Sequence, residues 1–342
     1  IVALVISMVL VRVTGGHPWK VLSALVDGSI RRPGRWGATL AEATPLLLVA
    51  VGTSICYRAG LVNIGQEGQL LIGAAAAAFI AIRFRLHGPL AILLALACGV
   101  LAGAIWAGAA GLLRYRGGVP EVLSTLLLVY VSSSLAGYFL TRKFLLLDPN
   151  QGTGNTLTRS GDVPAQTRLP QIRMFGNRFP ISVIVAVVLA VLIWVVLDRT
   201  VWGFRLKMLG MNARTARRAG VSAGLYGSMA LLLSGGFAGL AGSGMLLGGA
   251  GSYQFTPGFS NSIGWQGLLV ALVARNNPLG AIAAALVFAG LRTSSHFLAG
   301  TGVGATIVDI IQALLVLALL IPPALLFIRD RRRAMAAVKS RT

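Results

Sequence analysis

Acidic residues are scarce in this sequence. Nine Asp and Glu stand against thirty Lys and Arg, and charge of either sign makes up only 11% of 342 residues. A soluble domain carries about 25% charged residues, so a soluble globular chain is excluded. Cysteine is limited to Cys56 and Cys98, both in apolar runs, which excludes a disulfide framework and a cysteine-bound metal cluster. The three histidines, His17, His87 and His296, lie far apart, and neither HExxH nor CxxC occurs. No metal site is expected from such a set. No Gly-Lys dipeptide occurs, so there is no GxxxxGK phosphate loop and this chain is not itself an ATPase. Nor do the apolar runs carry the paired nucleophile and base of an intramembrane enzyme.

What is abundant is apolar sequence, at 56% of the chain. Runs of about 20 such residues mark membrane spans. Ten are expected: 1–14, 38–57, 61–82, 89–113, 119–141, 181–198, 227–250, 261–275, 278–294 and 303–328. The fold class is then an all-α polytopic membrane protein, a single transmembrane domain over 1–342. The run 261–275 is short for a crossing and is expected to be broken or paired with its successor. The first residue is Ile rather than Met, so a missing N-terminal segment is expected. The net charge of +21 lies between apolar runs, which suits anionic lipid headgroups better than nucleic acid.

Ten spans put both ends on one side. The basic clusters at 199–218 and in the tail 329–342 set that side as cytoplasmic. The total of basic residues is nearly balanced across the two sides, so orientation rests on these dense clusters. The 142–180 connection is then periplasmic. It is rich in Gly, Pro, Asn and Thr and is expected to lack strong structure.

One stretch breaks the apolar pattern. Gly60-Leu61-Val62-Asn63-Ile64-Gly65-Gln66-Glu67-Gly68-Gln69 puts amides and a carboxylate at the head of an apolar helix. Ionisable groups there face a bundle interior or a water-filled path. Asn63, Gln66 and Glu67 share a helical face by spacing, with Gln69 pointing elsewhere. Two readings stand open: contact with a hydroxyl-bearing solute, or interhelical hydrogen bonds. Ile64-Gly65-Gln66-Glu67-Gly68 recurs as Ile263-Gly264-Trp265-Gln266-Gly267, each copy followed by an apolar run and Pro-Leu. The two runs point in opposite directions in this topology, which makes an inverted internal repeat, an arrangement that places a site near the bilayer midplane. Trp265 and Gln266 are the counterparts of Gln66 and Glu67. Trp265 suits stacking on a flat face of a ligand, or anchoring at an interface. Glu121 follows Pro120 and suits a helix start. Glu42 and Asp309 are the other acids within runs.

The segment 199–226 reads as one or two short helices, with Asn212 as an N-cap and Gly210 and Gly220 as breaks. Ala213, Ala216 and Ala219 recur on one face, Arg214, Arg217 and Arg218 on another. Such a segment suits a groove on a partner protein or the lipid interface.

Three segments together resemble permease subunits of bacterial nucleoside and simple-sugar ABC importers. They are 60–74, with its GLxNIGxEGQ pattern; 203–242, with Gly203, Gly210, Asn212, Ala216 and Gly220 followed by Leu233-Ser234-Gly235-Gly236-Phe237-Ala238-Gly239-Leu240-Ala241-Gly242; and 264–280. The resemblance spans nearly the whole chain. It implies a type II importer-like permease of about ten helices in the bacterial inner membrane. It implies a second permease subunit, two cytoplasmic ABC ATPases and a periplasmic or lipoprotein substrate-binding protein as partners. ATP and magnesium would belong to the ATPase, with no cofactor in this chain. Asn63, Gln66, Glu67, Gln69, Trp265 and Gln266 would then line the solute pathway. Gly203, Arg205, Gly210, Asn212, Arg214, Ala216, Arg217 and Gly220 would couple to the ATPase. The Glu67-Gly68-Gln69 form suggests the longer of two permeases. Met211, where the family often has an acidic or small residue, and the three arginines are departures from the pattern. The rival expectation is a proton- or ion-coupled secondary transporter using Glu67 or Asp309.

Overall fold

A computed structural model describes residues 12, 17–84, 88–148, 158–249, 252–298, 308–314 and 316–317. The expected span 1–14, most of 303–328 and the basic tail 329–342 fall outside these residues. The described chain is mainly helical. Its helices are α1 (Pro18–Val26), α2 (Arg35–Arg58), α3 (Gln66–Arg83), α4 (Pro89–Gly117), α5 (Glu121–Phe139), α6 (Ser182–Arg199), α7 (Val201–Met211), α8 (Ala213–Arg218), α9 (Ala223–Gly248), α10 (Ile263–Val273) and α11 (Pro278–Leu298). Six of them, α2, α4, α5, α6, α9 and α11, are long and apolar enough to cross a membrane. The α10 helix has 11 residues, short as expected.

Two expectations need correction. The run 61–82 does not begin as a helix: Leu61–Ile64 are without regular structure and α3 starts only at Gln66. The 142–180 connection is not unstructured. Within it, β1 (Gln171–Met174) and β2 (Asn177–Pro180) form an antiparallel hairpin. Met174 pairs with Asn177, leaving the two-residue turn Phe175-Gly176 with φ of 47° and 74°. Positive φ at both central residues matches the right-handed twist of a hairpin, and Gly176 adopts it without steric cost. Among its other described residues, backbone bonds tie Ser160 N–H to Phe255 O (2.9 Å), Val163 N–H to Tyr253 O (2.9 Å) and Leu169 N–H to Leu247 O (2.8 Å).

The chain forms two compact units. One comprises the described residues of Ile1–Arg35 and Gly290–Thr342. There Arg35 donates to the carbonyls of Gly28 (2.8 Å) and Thr293 (2.7 Å). The guanidinium groups of Arg32 and Arg35 lie 4.9 and 4.8 Å from the Phe297 ring centroid.

The other unit, Trp36–Ala289, is built on α3, α4 and α9. Its core is small-residue rich: Ala74, Ala75, Ala77, Ala78 and Ala81 of α3 are buried with Leu246, Leu247 and Phe255. With lipid outside, apolar burial gains little between helices, and close packing of small residues takes its place. Glycines make the contact. A methyl group on Gly239 would overlap the Gly99 carbonyl; one on Gly103 would overlap that of Gly235. Of the α9 glycines, Gly235, Gly239 and Gly242 pack on backbone, whereas Gly244 meets nothing within 4 Å.

Gly239→Ala should therefore force backbone apart and cost about 1–3 kcal/mol as overpacking, whereas Gly244→Ala should be neutral or slightly stabilising. Thermal unfolding of the detergent-solubilised variants checks this. Equal losses at both sites would contradict the seam.

Candidate functional site

The site is organised by the non-helical stretch between α2 and α3. After Arg58 the chain turns at Gly60 (φ 72°) and runs to Gly65 before α3 begins. Its polar side chains are almost fully buried: Asn63, Gln66 and Gln69 are each 1% exposed. Asn63 Nδ2 donates to Gln69 Oε1 (2.9 Å), and Gln69 Nε2 returns a bond to Asn63 Oδ1 (3.1 Å). Asn63 Oδ1 also accepts the Gly65 N–H (3.0 Å). Ser234 Oγ of α9 accepts from Asn63 Nδ2 (3.0 Å) and Gln66 Nε2 (2.9 Å), and Thr53 of α2 donates to Gln66 Oε1 (2.9 Å). One amide cluster thus joins α2, α3 and α9. The expected face of Asn63, Gln66 and Glu67, with Gln69 apart, is corrected here. Asn63 precedes the helix, so helical spacing does not apply to it, and it pairs with Gln69.

Glu67 turns the other way, toward α10. Its Oε2 accepts the Gly264 N–H (2.6 Å), and its Oε1 accepts from the Ser260 hydroxyl. Asn261 and Ser262, just before α10, hold φ of 42° and 62°, and Ser262 makes no side-chain cap bond. The α10 start is therefore capped by a carboxylate from another helix, a favourable charge at a helix N-terminus. Gly264 is needed for this approach, since a methyl there would overlap the Glu67 backbone. The two IGxxG segments meet at this point. Their final glycines pack differently: Gly68 on Val129 and Ser132 of α5, Gly267 on Leu46 and Val49 of α2. Trp265 and Gln266 are half-buried on α10 and are not brought into the amide cluster.

Below Glu67 lies a cavity of about 230 Å³ between α3, α5 and the 255–260 loop. Glu67, Ser133, Thr256 and Ser260 are its polar lining, and Leu71, Leu140 and Phe255 contribute apolar walls.

A second set of contacts holds the same stretch from its opposite end. Glu121 pairs with Arg114 and accepts from Val62 N–H (3.4 Å). Thr125 Oγ1 accepts from Ile64 N–H (3.3 Å). Gly60 abuts Gly210 of α7, where a methyl on Gly60 would come 2.9 Å from the Gly210 α-carbon. Arg58 donates to Leu197 O (2.9 Å) and pairs with Asp198 at the end of α6.

This places the 199–226 segment directly on the stretch. Thr200 caps α7 (Gly203 N–H to Oγ1, 3.3 Å), and Gly203 packs on the carbonyls of Val196 and Leu197. Gly210 is not a break, contrary to expectation. It lies within α7, and its missing side chain admits residues 58–60. The break is Asn212, whose Oδ1 caps α8 through Arg214 N–H (3.0 Å) and Thr215 N–H (3.2 Å). Gly220 leaves α8 with φ 79°. Of the three alanines only Ala216 is buried; Arg214, Arg217 and Arg218 are exposed. Arg205 is turned to the Tyr226 hydroxyl (2.6 Å).

Sequence reasoning missed Ser234, Ser260, Thr53 and Thr125. Ser234 carried a weak signal, one of three serines inside a glycine-rich apolar run. Ser260 and Thr53 carried none. Among the described residues no cluster of His, Cys, Asp and Glu could hold a metal.

Residues 37–324 match the family described as branched-chain amino acid transport system / permease component. The chain is similar to the guanosine ABC transporter permease protein NupP of Bacillus subtilis, at 29% identity over 98% of this chain and 95% of that protein. It is 34% identical to the glucose ABC transporter permease protein TsgB13 of Haloferax volcanii, over 82% of this chain and 74% of the other. The nucleoside ABC transporter permease protein NupB of Lactococcus lactis is 29% identical over 82% and 77%.

Ser234→Ala should leave two buried amide N–H groups without an acceptor and cost about 1–3 kcal/mol per stranded group. Ser252→Ala, at an exposed position, should leave thermal stability unchanged. Equal unfolding temperatures for the two variants would contradict the cluster's role.

Proposed function

The chain belongs to the branched-chain amino acid transport system / permease component family, and on that premise we propose that it is the membrane-spanning permease subunit of an ATP-driven ABC importer. Its solute is a nucleoside or a related sugar-like molecule, in keeping with the guanosine, glucose and nucleoside permeases it is similar to. It sits in the bacterial inner membrane with ten spans arranged as an inverted repeat and both termini in the cytoplasm. A second permease subunit completes the path. Two cytoplasmic ATPases bind ATP and magnesium, and a periplasmic or lipoprotein binding protein delivers solute.

The observation that carries this reading is the contact of Gly210 with residues 58–60, beside the amide cluster. A transporter driven by an outside motor needs a stiff connection from the docking surface to the path. Here the α7–α8 segment offers exposed arginines on one side and a backbone-to-backbone contact on the other. Movement of α7 would shift Gly60, and the hydrogen-bonded stretch would carry that shift to α3 and through Glu67 to α10. Such propagation suits packed elements, which switch between discrete arrangements rather than deform.

The carboxylates support the same choice over proton coupling. Glu67 is engaged by Ser260 and Gly264, and Glu121 by Arg114 and Val62. Both are committed to structural contacts. Asn63, Gln66 and Gln69 act in this reading as the tie that keeps the path's wall rigid. Gly203, Gly210, Asn212, Arg214, Ala216, Arg217 and Gly220 form the coupling surface and its supports.

Purification through a tag on this chain should bring an ABC ATPase with it. Arg214→Glu combined with Arg217→Glu should lower the bound ATPase by at least about tenfold, equivalent to roughly 1.4 kcal/mol. Its unfolding temperature should be unchanged, because both side chains are exposed. A chain that purifies alone and sustains gradient-driven uptake would overturn the proposal.

A further inference from the structure

The exposed faces of the long helices are not alike. On α4 the exposed side chains include Leu90, Leu93, Leu101 and Ile105, and on α6 Ile184, Val188 and Leu192. Those faces suit hydrocarbon. The α5 helix is mixed: it exposes Leu123, Leu127 and Val131, but sets polar groups beside them. Tyr130 is 68% exposed, and Ser133, Ser134 and Gly137 are exposed along the same stripe, at spacings of three, four and seven.

The hydroxyl groups of α5 divide into two sets. Ser124, Thr125 and Ser132 are buried and each donates to a carbonyl one turn back. That is how a hydroxyl is accommodated in an apolar helix. Among the described residues, Tyr130, Ser133 and Ser134 have no hydrogen-bond partner. Three unpaired hydroxyls facing lipid tails would be costly.

The stripe also borders the cavity. Ser133 and Gly137 line it, with Thr256, Ser260 and Glu67 behind them. The carboxylate is already engaged by Ser260 and the Gly264 N–H, so the cavity presents hydroxyls over a floor whose acceptor is taken up within the protein. Among the described residues no Lys or Arg lines it.

We propose that Tyr130, Ser133 and Ser134 form the water-filled wall where solute is recognised, with the cavity behind Ser133 receiving one sugar-sized group. The inference rests on the importer reading and deepens it by naming the contact surface. Such a wall selects an uncharged, hydroxyl-rich solute. Serine hydroxyls donate to and accept from sugar hydroxyls, and the Tyr130 ring offers a flat face to a base or the apolar side of a sugar. An anionic solute would find no cation here, and an apolar one would leave the hydroxyls unpaired.

The test is thiol labelling in membranes with a charged, membrane-impermeant methanethiosulfonate. Ser133→Cys, Ser134→Cys and, as the lipid-facing control, Leu101→Cys are made in a Cys98→Ala background, with the wholly buried Cys56 retained. A hydrophilic reagent reaches a thiol only through water, and only the ionised thiol reacts. Labelling at 133 and 134 should exceed that at 101 by at least about tenfold. It should slow in the presence of guanosine or glucose, whichever binds the complex. Labelling at 133 and 134 as slow as at 101 overturns the inference, whether lipid or a second subunit covers the face. Fast labelling that both solutes leave unchanged overturns it as well. Labelling needs no ATP and no uptake, so a complex that labels as expected yet never drives ATP-dependent uptake would sink the importer reading and not the water-filled wall.

Discussion

A break in the backbone inside an apolar bundle exposes amide and carbonyl groups that have no water to bind. Every one of them must find a partner in the protein. Residues 60–65 are such a break, and most of the second unit's architecture can be read as the means of satisfying it. Asn63 and Gln69 close on each other, Ser234 accepts from two amides, and Thr53 reaches in from α2. Glu121 and Thr125 take the backbone N–H groups of Val62 and Ile64. A network so interlinked is rigid, because loss of any member strands its neighbours.

Rigidity at the break depends in turn on how close the helices come. The glycine seam of α3, α4 and α9 allows backbone-to-backbone contact that larger residues would forbid. Ser234 sits in that seam, one residue before Gly235, and is held where the amides can use it. Gly60 and Gly210 repeat the device at the outer edge, so α7 touches the break directly. On the opposite side, Glu67 caps α10 from another helix and ties the two IGxxG segments together. The break is thus a junction: one edge faces the proposed motor, the other the cavity and the α5 stripe.

Much of this was legible in the sequence. Apolar runs bounded by Gly and Pro located most of the spans, and Asn212 and Gly220 announced the short helix between them. The polar patch at 60–69 stood out because nothing in lipid packing requires it. Other features were hidden for physical reasons. Leu61 and Val62 are as apolar as a helix interior, so hydropathy did not reveal that the helix starts only at Gln66. A glycine that breaks a helix and one that admits a neighbour look identical, and Gly210 proved to be the second kind. The partners Ser234 and Ser260 lie 168 to 193 positions from the residues they bind, beyond the reach of local spacing. The hairpin at 171–180 was obscured by arginines in strands too short to show alternation.

The central claim is that the Gly60–Gly210 contact transmits motion from the coupling segment to the path. Alanine normally strengthens a helix relative to glycine, by about 1 kcal/mol, so Gly210→Ala should stiffen α7 while wedging it off residues 58–60. The direct measurement is solute uptake per ATP hydrolysed by the complete reconstituted complex carrying Gly210→Ala. Hydrolysis retained with uptake lost is the result a transmitting contact requires. Uptake per ATP equal to that of the unaltered complex would contradict it.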